Sequence, residues 1–209
     1  MKTFLRVAML FLLATNLSYG QISLRVFNYR PTGEFGAVMK PLVSVEIGFQ
    51  DRFSKRTTKR MRMGFSLLYL NMKPRLEVFP VYGVRYDGNG TTVLPGYQSF
   101  QKYAIFQLIG GADYAFIHKE KFNVYAGADL VIGAANVDYT DVIIGWKDES
   151  YQGGGILAGF RFRLGVDYNI TDHIGVFVNA NRQGFLVTEP GALNGANDYG
   201  LGVRYSFNQ

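Results

Sequence analysis

Tyr199-Gly200-Leu201-Gly202-Val203-Arg204-Tyr205-Ser206-Phe207 places a large apolar or aromatic residue at every odd position and Gly, Arg or Ser at every even one. Side chains of a β-strand point alternately to opposite faces, so this stretch has one greasy face and one small or polar face. Alternation alone does not say which face is inside. It does say that the segment is a strand with two different environments.

The same rhythm recurs upstream. Gln21 to Tyr29 sets Ile22, Leu24 and Val26 against Ser23, Arg25 and Phe27, and Lys40 to Gln50 sets Val43, Val45, Ile47 and Phe49 against Ser44, Glu46 and Gly48. Arg60 to Asn71, Gln101 to Ile117, Phe122 to Ala135, Gly155 to Asn169 and His173 to Phe185 repeat it. With the last strand that makes eight. Between them, Met72 to Phe100 loses the phase under Pro74, Pro80, Asp87-Gly88-Asn89-Gly90 and Pro95-Gly96, and reads as a long loop with room for a short hairpin. Asn136 to Gly154, with the only tryptophan, Trp146, and Leu186 to Asn197 read as further long loops. The connections near 51–59, 118–121 and 169–172 are short.

Composition agrees with a chain of strands and turns. Gly is 25 of 209 residues, aromatics are 15% and Pro only 6. Residues 1–20 read as a secretory signal: Lys2 and Arg6 are its basic start, Val7 to Ala14 its apolar core, and Ser18-Tyr19-Gly20 its cleavage site. That apolar run is too short for a spanning helix, which needs about 20 residues. Residues 21–209 then form one domain. The absence of Cys removes disulfides and lipid attachment through Cys. A formal charge of +6, or +4 without Lys2 and Arg6, is too mild to suggest nucleic acid as a partner.

A closed, up-and-down antiparallel barrel follows, and three observations turn its greasy face to lipid rather than to a soluble barrel's interior. The apolar rows run six or seven positions, enough for a band roughly 25 Å tall with tilted strands. Phe49, Phe116, Phe122, Tyr168, Tyr205 and Phe207 gather near the short turns, as an aromatic girdle at the headgroup level would. Connections alternate short and long. Because an Arg on the lipid face near the midplane costs about 2–4 kcal/mol, the face carrying Arg163 points inward. Counted back from a periplasmic C-terminus, the short turns are periplasmic and the long loops extracellular.

On these residues the sequence resembles the small outer-membrane β-barrels of the OmpA/OmpX type over essentially all of Gln21 to Phe207. The resemblance implies an all-β, eight-stranded transmembrane barrel in the bacterial outer membrane. It further implies outer-membrane lipid as surroundings and the barrel-insertion machinery as a partner in assembly, with Tyr199 to Phe207 resembling the terminal assembly signal. One departure is that Asn208 and Gln209 follow the terminal aromatic.

The inward set carries Arg25, Arg62, Arg161, Arg163 and Arg204 with Glu46, Asp113, Asp129 and Asp167, five charges against four. An eight-stranded barrel leaves an interior about wide enough for side chains, so these read as a lumen ion-pair network rather than a solute path. His118 and His173 fall in turns at the end opposite the long loops, which disfavours an enzyme. No residue spacing suggests a metal, and the half calcium loop at Asp87 lacks its twelfth-position acid, where Gln98 stands. No cofactor is expected. The basic connector Arg52, Lys55, Arg56, Lys59 and Arg60 is a solvated face or a contact for an acidic periplasmic partner. Tyr82, Tyr86, Tyr97, Tyr139, Trp146 and Tyr151 offer an extracellular protein the large, low-entropy surface that binding sites favour. The expected function is therefore a non-enzymatic structural or interaction protein of the outer membrane. The alternatives are a passive carrier of small apolar molecules, suggested by inward Phe27, Ile105, Ile109 and Phe177, and an outer-membrane enzyme.

Overall fold

The structure, a computed structural model, describes residues 20–51, 53, 60–86, 88, 90–146, 148–187 and 195–207. Residues 1–19 of the expected signal sequence, most of the basic connector, Asp87 and Asn89 of the half calcium loop, and Asn208 and Gln209 lie outside the described residues. Nine strands and one short helix follow in order: β1 (Gly20–Thr32), α1 (Gly33–Val38), β2 (Leu42–Asp51), β3 (Met61–Asn71), β4 (Phe79–Tyr86), β5 (Thr91–His118), β6 (Phe122–Ile143), β7 (Glu149–Asn169), β8 (Ile174–Val187) and β9 (Gly195–Ser206).

Eight of the strands close into an antiparallel barrel. Neighbours in sequence pair from β5 to β9, β9 returns to β1, and the ring shuts where β3 skips β4 and pairs with β5 from Met61↔Tyr114 to Asn71↔Ala104. The first strand is genuine: β1 pairs with β2 on one side and β9 on the other. The ninth strand, β4, stands outside the ring and pairs only with the early part of β5.

The outer wall carries the greasy rows. Leu24, Val26, Ile47, Met63, Leu108, Leu130, Phe162, Leu164, Val178, Leu201 and Val203 are all exposed on it. On β7 the apolar row runs from Ile156 to Tyr168; twelve steps of about 3.3 Å on a strand tilted by about 40° cover roughly 30 Å, enough for the hydrocarbon layer.

Two of the expected long loops are largely strand, and the third, Leu186–Asn197, is strand at its two ends, residues 188–194 lying outside the described residues. The Met72–Phe100 stretch holds β4 and the first part of β5. The Asn136–Gly154 stretch continues β6 to Ile143 and begins β7 at Glu149, and β9 starts at Gly195 rather than Tyr199. The physical reasons are local. A bulge between Phe100 and Lys102 leaves Gln101 without a partner and flips the phase of β5. Above the lipid band the polarity inverts: Val137 and Tyr139 continue the inward row of β6 while Asp138 and Thr140 meet water. Pro80 is compatible with a strand because β4 is an edge. A left-handed Gly33 (φ 68°) turns the chain from β1 into α1, and Phe35 of this helix and Met39, its C-cap, tuck into the barrel mouth.

Candidate functional site

Side chains fill the lumen in layers. At the short-turn end, Phe53 enters from the β2–β3 connection and packs with Ala115 and Tyr125. At the other end a larger apolar cluster, including Phe27, Leu68, Leu70, Ile105, Ile109 and Leu157, is capped by Phe35 and Met39. The four inward apolar residues Phe27, Ile105, Ile109 and Phe177 are buried, so they are wall filling rather than the lining of an open passage.

Through these layers runs a chain of charges. Arg204 pairs with Asp167 at 2.7 Å, Asp167 with Arg62 at 2.7 Å, and Arg62 with Asp113 at 2.8 Å. Asp113 lies 3.1 Å from Arg163 Nε, an ion pair without the alignment of a hydrogen bond, and Arg163 reaches Asp129 at 2.8 Å. Asp129 then meets Arg161 at 2.8 Å, Arg161 meets Glu46 at 3.0 Å, Glu46 meets Arg25 at 2.9 Å, and Arg25 pairs with Asp198. Every interior member has an opposite charge on each side. The nine residues named from the sequence are thus brought together, and the tenth, Asp198, makes the set five against five.

Such alternation is what a low-dielectric interior demands, because a buried charge without a partner costs several kcal/mol. Further contacts fix the geometry. Arg62 lies 4.3 Å from the Phe53 ring centroid and 4.4 Å from that of Tyr125, two rings that touch each other, Ser66 donates to Glu46 at 2.5 Å, and the two ends rest on Asn181 and Asn169.

Asp198 falls just outside the last strand as the sequence marks it, from Tyr199, whereas β9 begins four residues earlier at Gly195. The even position of Asp198, in phase with Gly200, Gly202 and Arg204, and the unequal count of inward charges were the signals for it. Phe53, a lone aromatic in a basic connector, was the corresponding signal for the stopper.

The turn-end aromatics lie where the strand register joins them. Phe49 stacks on Phe65 at 5.2 Å, Phe122 is paired with Tyr168, and Tyr205 meets Phe207 edge-on at 5.4 Å; Phe116, Tyr168 and Tyr205 are exposed on the outer wall. His118 Nδ1 lies 2.5 Å from Asn123 Oδ1, and His173 Nδ1 lies 3.0 Å from the Ser206 carbonyl. Both histidines sit at that same end. Among the described residues no group of three or more His, Cys, Asp or Glu is placed to hold a metal.

At the opposite end, β4 to β7 rise past the lipid band as a four-stranded sheet. The six aromatic residues expected in loops divide differently: five lie in these strands and only Trp146 in a turn. Tyr139 and Tyr151 stack at 4.9 Å and continue through Phe100 to Phe79, one ring per strand, so they brace the sheet's inner face. Tyr82, Tyr86 and Tyr97 stand exposed on its outer face. The braced face and the barrel cap enclose a cleft of about 560 Å³ lined by Phe35, Phe79, Phe100, Tyr103, Tyr139 and Leu157.

No described protein family and no curated protein sequence matches the chain. Solved structures do. Neisserial surface protein A superposes over 90% of this chain and 97% of its own at 15% identity with a TM-score of 0.59. The N-terminal β-barrel domain of Pseudomonas aeruginosa OprF (15% identity) and the attachment invasion locus protein Ail of Yersinia pestis, in complex with the heparin analogue sucrose octasulfate (11%), each cover 90% of this chain and 97% of their own, with TM-scores of 0.42. The fold is that of the small eight-stranded outer-membrane barrels.

Proposed function

We propose that the chain is a non-enzymatic protein of the bacterial outer membrane, exported through residues 1–20 and inserted by the barrel-assembly machinery, that works through the surface it raises at its long-strand end. The observation that carries this reading is the sealed lumen. Phe53 stops one end, Phe35 and Met39 the other, and a charge-balanced chain fills the space between. Among the described residues the lumen offers no open route for transport, and the exposed Tyr82, Tyr86 and Tyr97 of the raised sheet are a surface suited to a protein partner. His118 and His173 contribute no base at that end.

Liposomes loaded with a small sugar test the sealed lumen: release no faster than from protein-free vesicles is expected, and porin-like release refutes it. A photocrosslinker at position 86, exposed in intact cells, is expected to capture one discrete protein. Capture of lipid alone refutes the interaction role. A second reading rests on the cleft above the cap, whose size and aromatic walls suit a small apolar molecule held rather than passed. Saturable binding of a neutral aromatic probe, lost in Tyr103→Trp, supports it; binding unaffected by that change refutes it.

A further inference from the structure

Ten lumen charges are paired with one another, but two arginines on the outer wall are treated differently. Arg30 in β1 and Arg182 in β8 are both register partners of Asn197 in β9, so the three residues lie side by side on adjacent strands at one height. Arg30 shares its parity with Leu24 and Val26, Asn197 with Leu201 and Val203, and Arg182 with Val176 and Val178; all of those side chains are exposed on the outer wall. The trio therefore faces the membrane side of the barrel, at the long-strand end of the apolar band.

The partners of these arginines are neutral. Arg30 donates to the Tyr199 hydroxyl at 2.7 Å and to Asn28 Oδ1 at 3.2 Å, and its guanidinium lies 5.2 Å from the Tyr199 ring centroid. Arg182 donates to Asn197 Oδ1 at 2.9 Å. Neither has a carboxylate partner among the described residues, in contrast to all five lumen arginines. Two guanidinium groups are thus held in place by neutral side chains, with no carboxylate against them among the described residues. Their Cα atoms are two strand spacings apart, about 10 Å, a gap that two Arg side chains can close on one tetrahedral oxyanion.

A second feature lies directly below. One pair of residues toward the membrane on each strand, roughly 7 Å, brings Asn28, Tyr199 and Ala180, and these belong to the lining of a shallow, open hollow of about 970 Å³ that runs along the outer wall from Val43 round to Phe116 and Val124. Its lining there is apolar, with Val26, Leu164, Val178 and Leu201. The hollow is continuous with the lipid-facing band.

A cationic clamp above an apolar hollow, at the edge of a bilayer, matches an amphiphile with an anionic head and hydrocarbon tails. We infer that Arg30 and Arg182 hold the phosphate of a membrane lipid whose chains lie in the hollow beneath them. This goes beyond the proposed function and stands independently of it, because neither the sealed lumen nor the raised sheet takes part. Guanidinium rather than ammonium suits the role, since its planar fork can give each phosphate oxygen a directed hydrogen bond.

Native mass spectrometry of the full chain in a phosphate-free detergent tests the inference, with dioleoyl phosphatidic acid, dioleoylglycerol and inorganic phosphate as probes. The wild-type barrel is expected to retain one phosphatidic acid at a concentration about tenfold below that needed by R30Q/R182Q, with R30K/R182K between them. Ala180→Phe, which fills the hollow, is expected to weaken phosphatidic acid retention and leave inorganic phosphate unaffected. All these side chains lie on the outer wall, and heat-dependent gel migration checks that each variant is folded. Equal retention of phosphatidic acid by wild type and R30Q/R182Q overturns the site. Retention of dioleoylglycerol as strong as that of phosphatidic acid, inorganic phosphate bound as tightly as the lipid, or a dimer of the chain occupying the face in place of lipid also overturns it.

Discussion

Arg62 is the residue whose removal discriminates most sharply between a charge chain and a mere collection of lumen contacts. Its guanidinium is buried, holds Asp113 at 2.8 Å and Asp167 at 2.7 Å, and rests against the adjoining rings of Phe53 and Tyr125. In Arg62→Met the chain is cut into Asp167–Arg204, which stays neutral, and a seven-member piece from Asp113 to Asp198 with four carboxylates and three arginines. One uncompensated buried charge costs about 3–5 kcal/mol, and the two ring contacts add about 1–2 kcal/mol. A total loss of roughly 4–7 kcal/mol is expected. Asp113→Leu alone strands a positive charge instead and is expected to cost about 3–5 kcal/mol. Combined, the two substitutions remove one charge of each sign and leave two neutral pieces, so R62M/D113L is expected to be no worse than either single variant. Urea titration of the barrel refolded in lipid vesicles, followed by the folded and unfolded bands on unheated gels, measures all three. Additive losses in the double variant would refute the coupled chain, because independent contacts add and coupled neighbours do not.

Three other outcomes are expected. Phe53→Ala removes a buried ring and is expected to cost about 3–5 kcal/mol in the same titration, while single-channel recording in a planar bilayer stays silent because Phe35 and Met39 still close the other end. Gly83→Ala would bring a Cβ to 2.9 Å from Ile143 Cγ2 and 3.2 Å from Trp146 Cη2, so the emission of the only tryptophan is expected to shift to the red without loss of the barrel's heat-dependent migration. Phe207→Asp removes the edge-on contact with Tyr205 and puts a charge at the seam, and a several-fold drop in membrane-inserted protein by immunoblot is expected.

How much of this was legible in the sequence follows from where the two faces differ. Inside the lipid band the contrast is strong, and Leu201, Val203 and Tyr205 against Gly202 and Arg204 fix both the strand and its orientation. Above the band the contrast reverses or vanishes. Asp138 and Thr140 replace apolar residues on the outer face, Gln101 slips the phase of β5, and the strands there read as loops. The lumen charges were legible individually from parity, because lipid excludes Arg from the other face. Who pairs with whom was not, since partners such as Arg161 and Glu46 are 115 positions apart and meet across the lumen rather than between neighbouring strands. The Arg30–Asn197–Arg182 row was illegible for the same reason: it exists only once β1, β9 and β8 are in register.

The seam between β1 and β9 joins the first and last strands of the barrel, with Phe207 N donating to Gly20 O at 3.3 Å. The ring therefore has no natural beginning, and a chain cut in an outer connection and religated through residues 20 and 207 would meet the same neighbours. Time is less symmetric. The first strand to leave the ribosome must wait for the last, and until they meet the sheet has two bare edges that any other strand could capture. A cell making this protein has to keep the opening guarded until β9 is in place, and a copy truncated before β9 would carry a permanent adhesive margin.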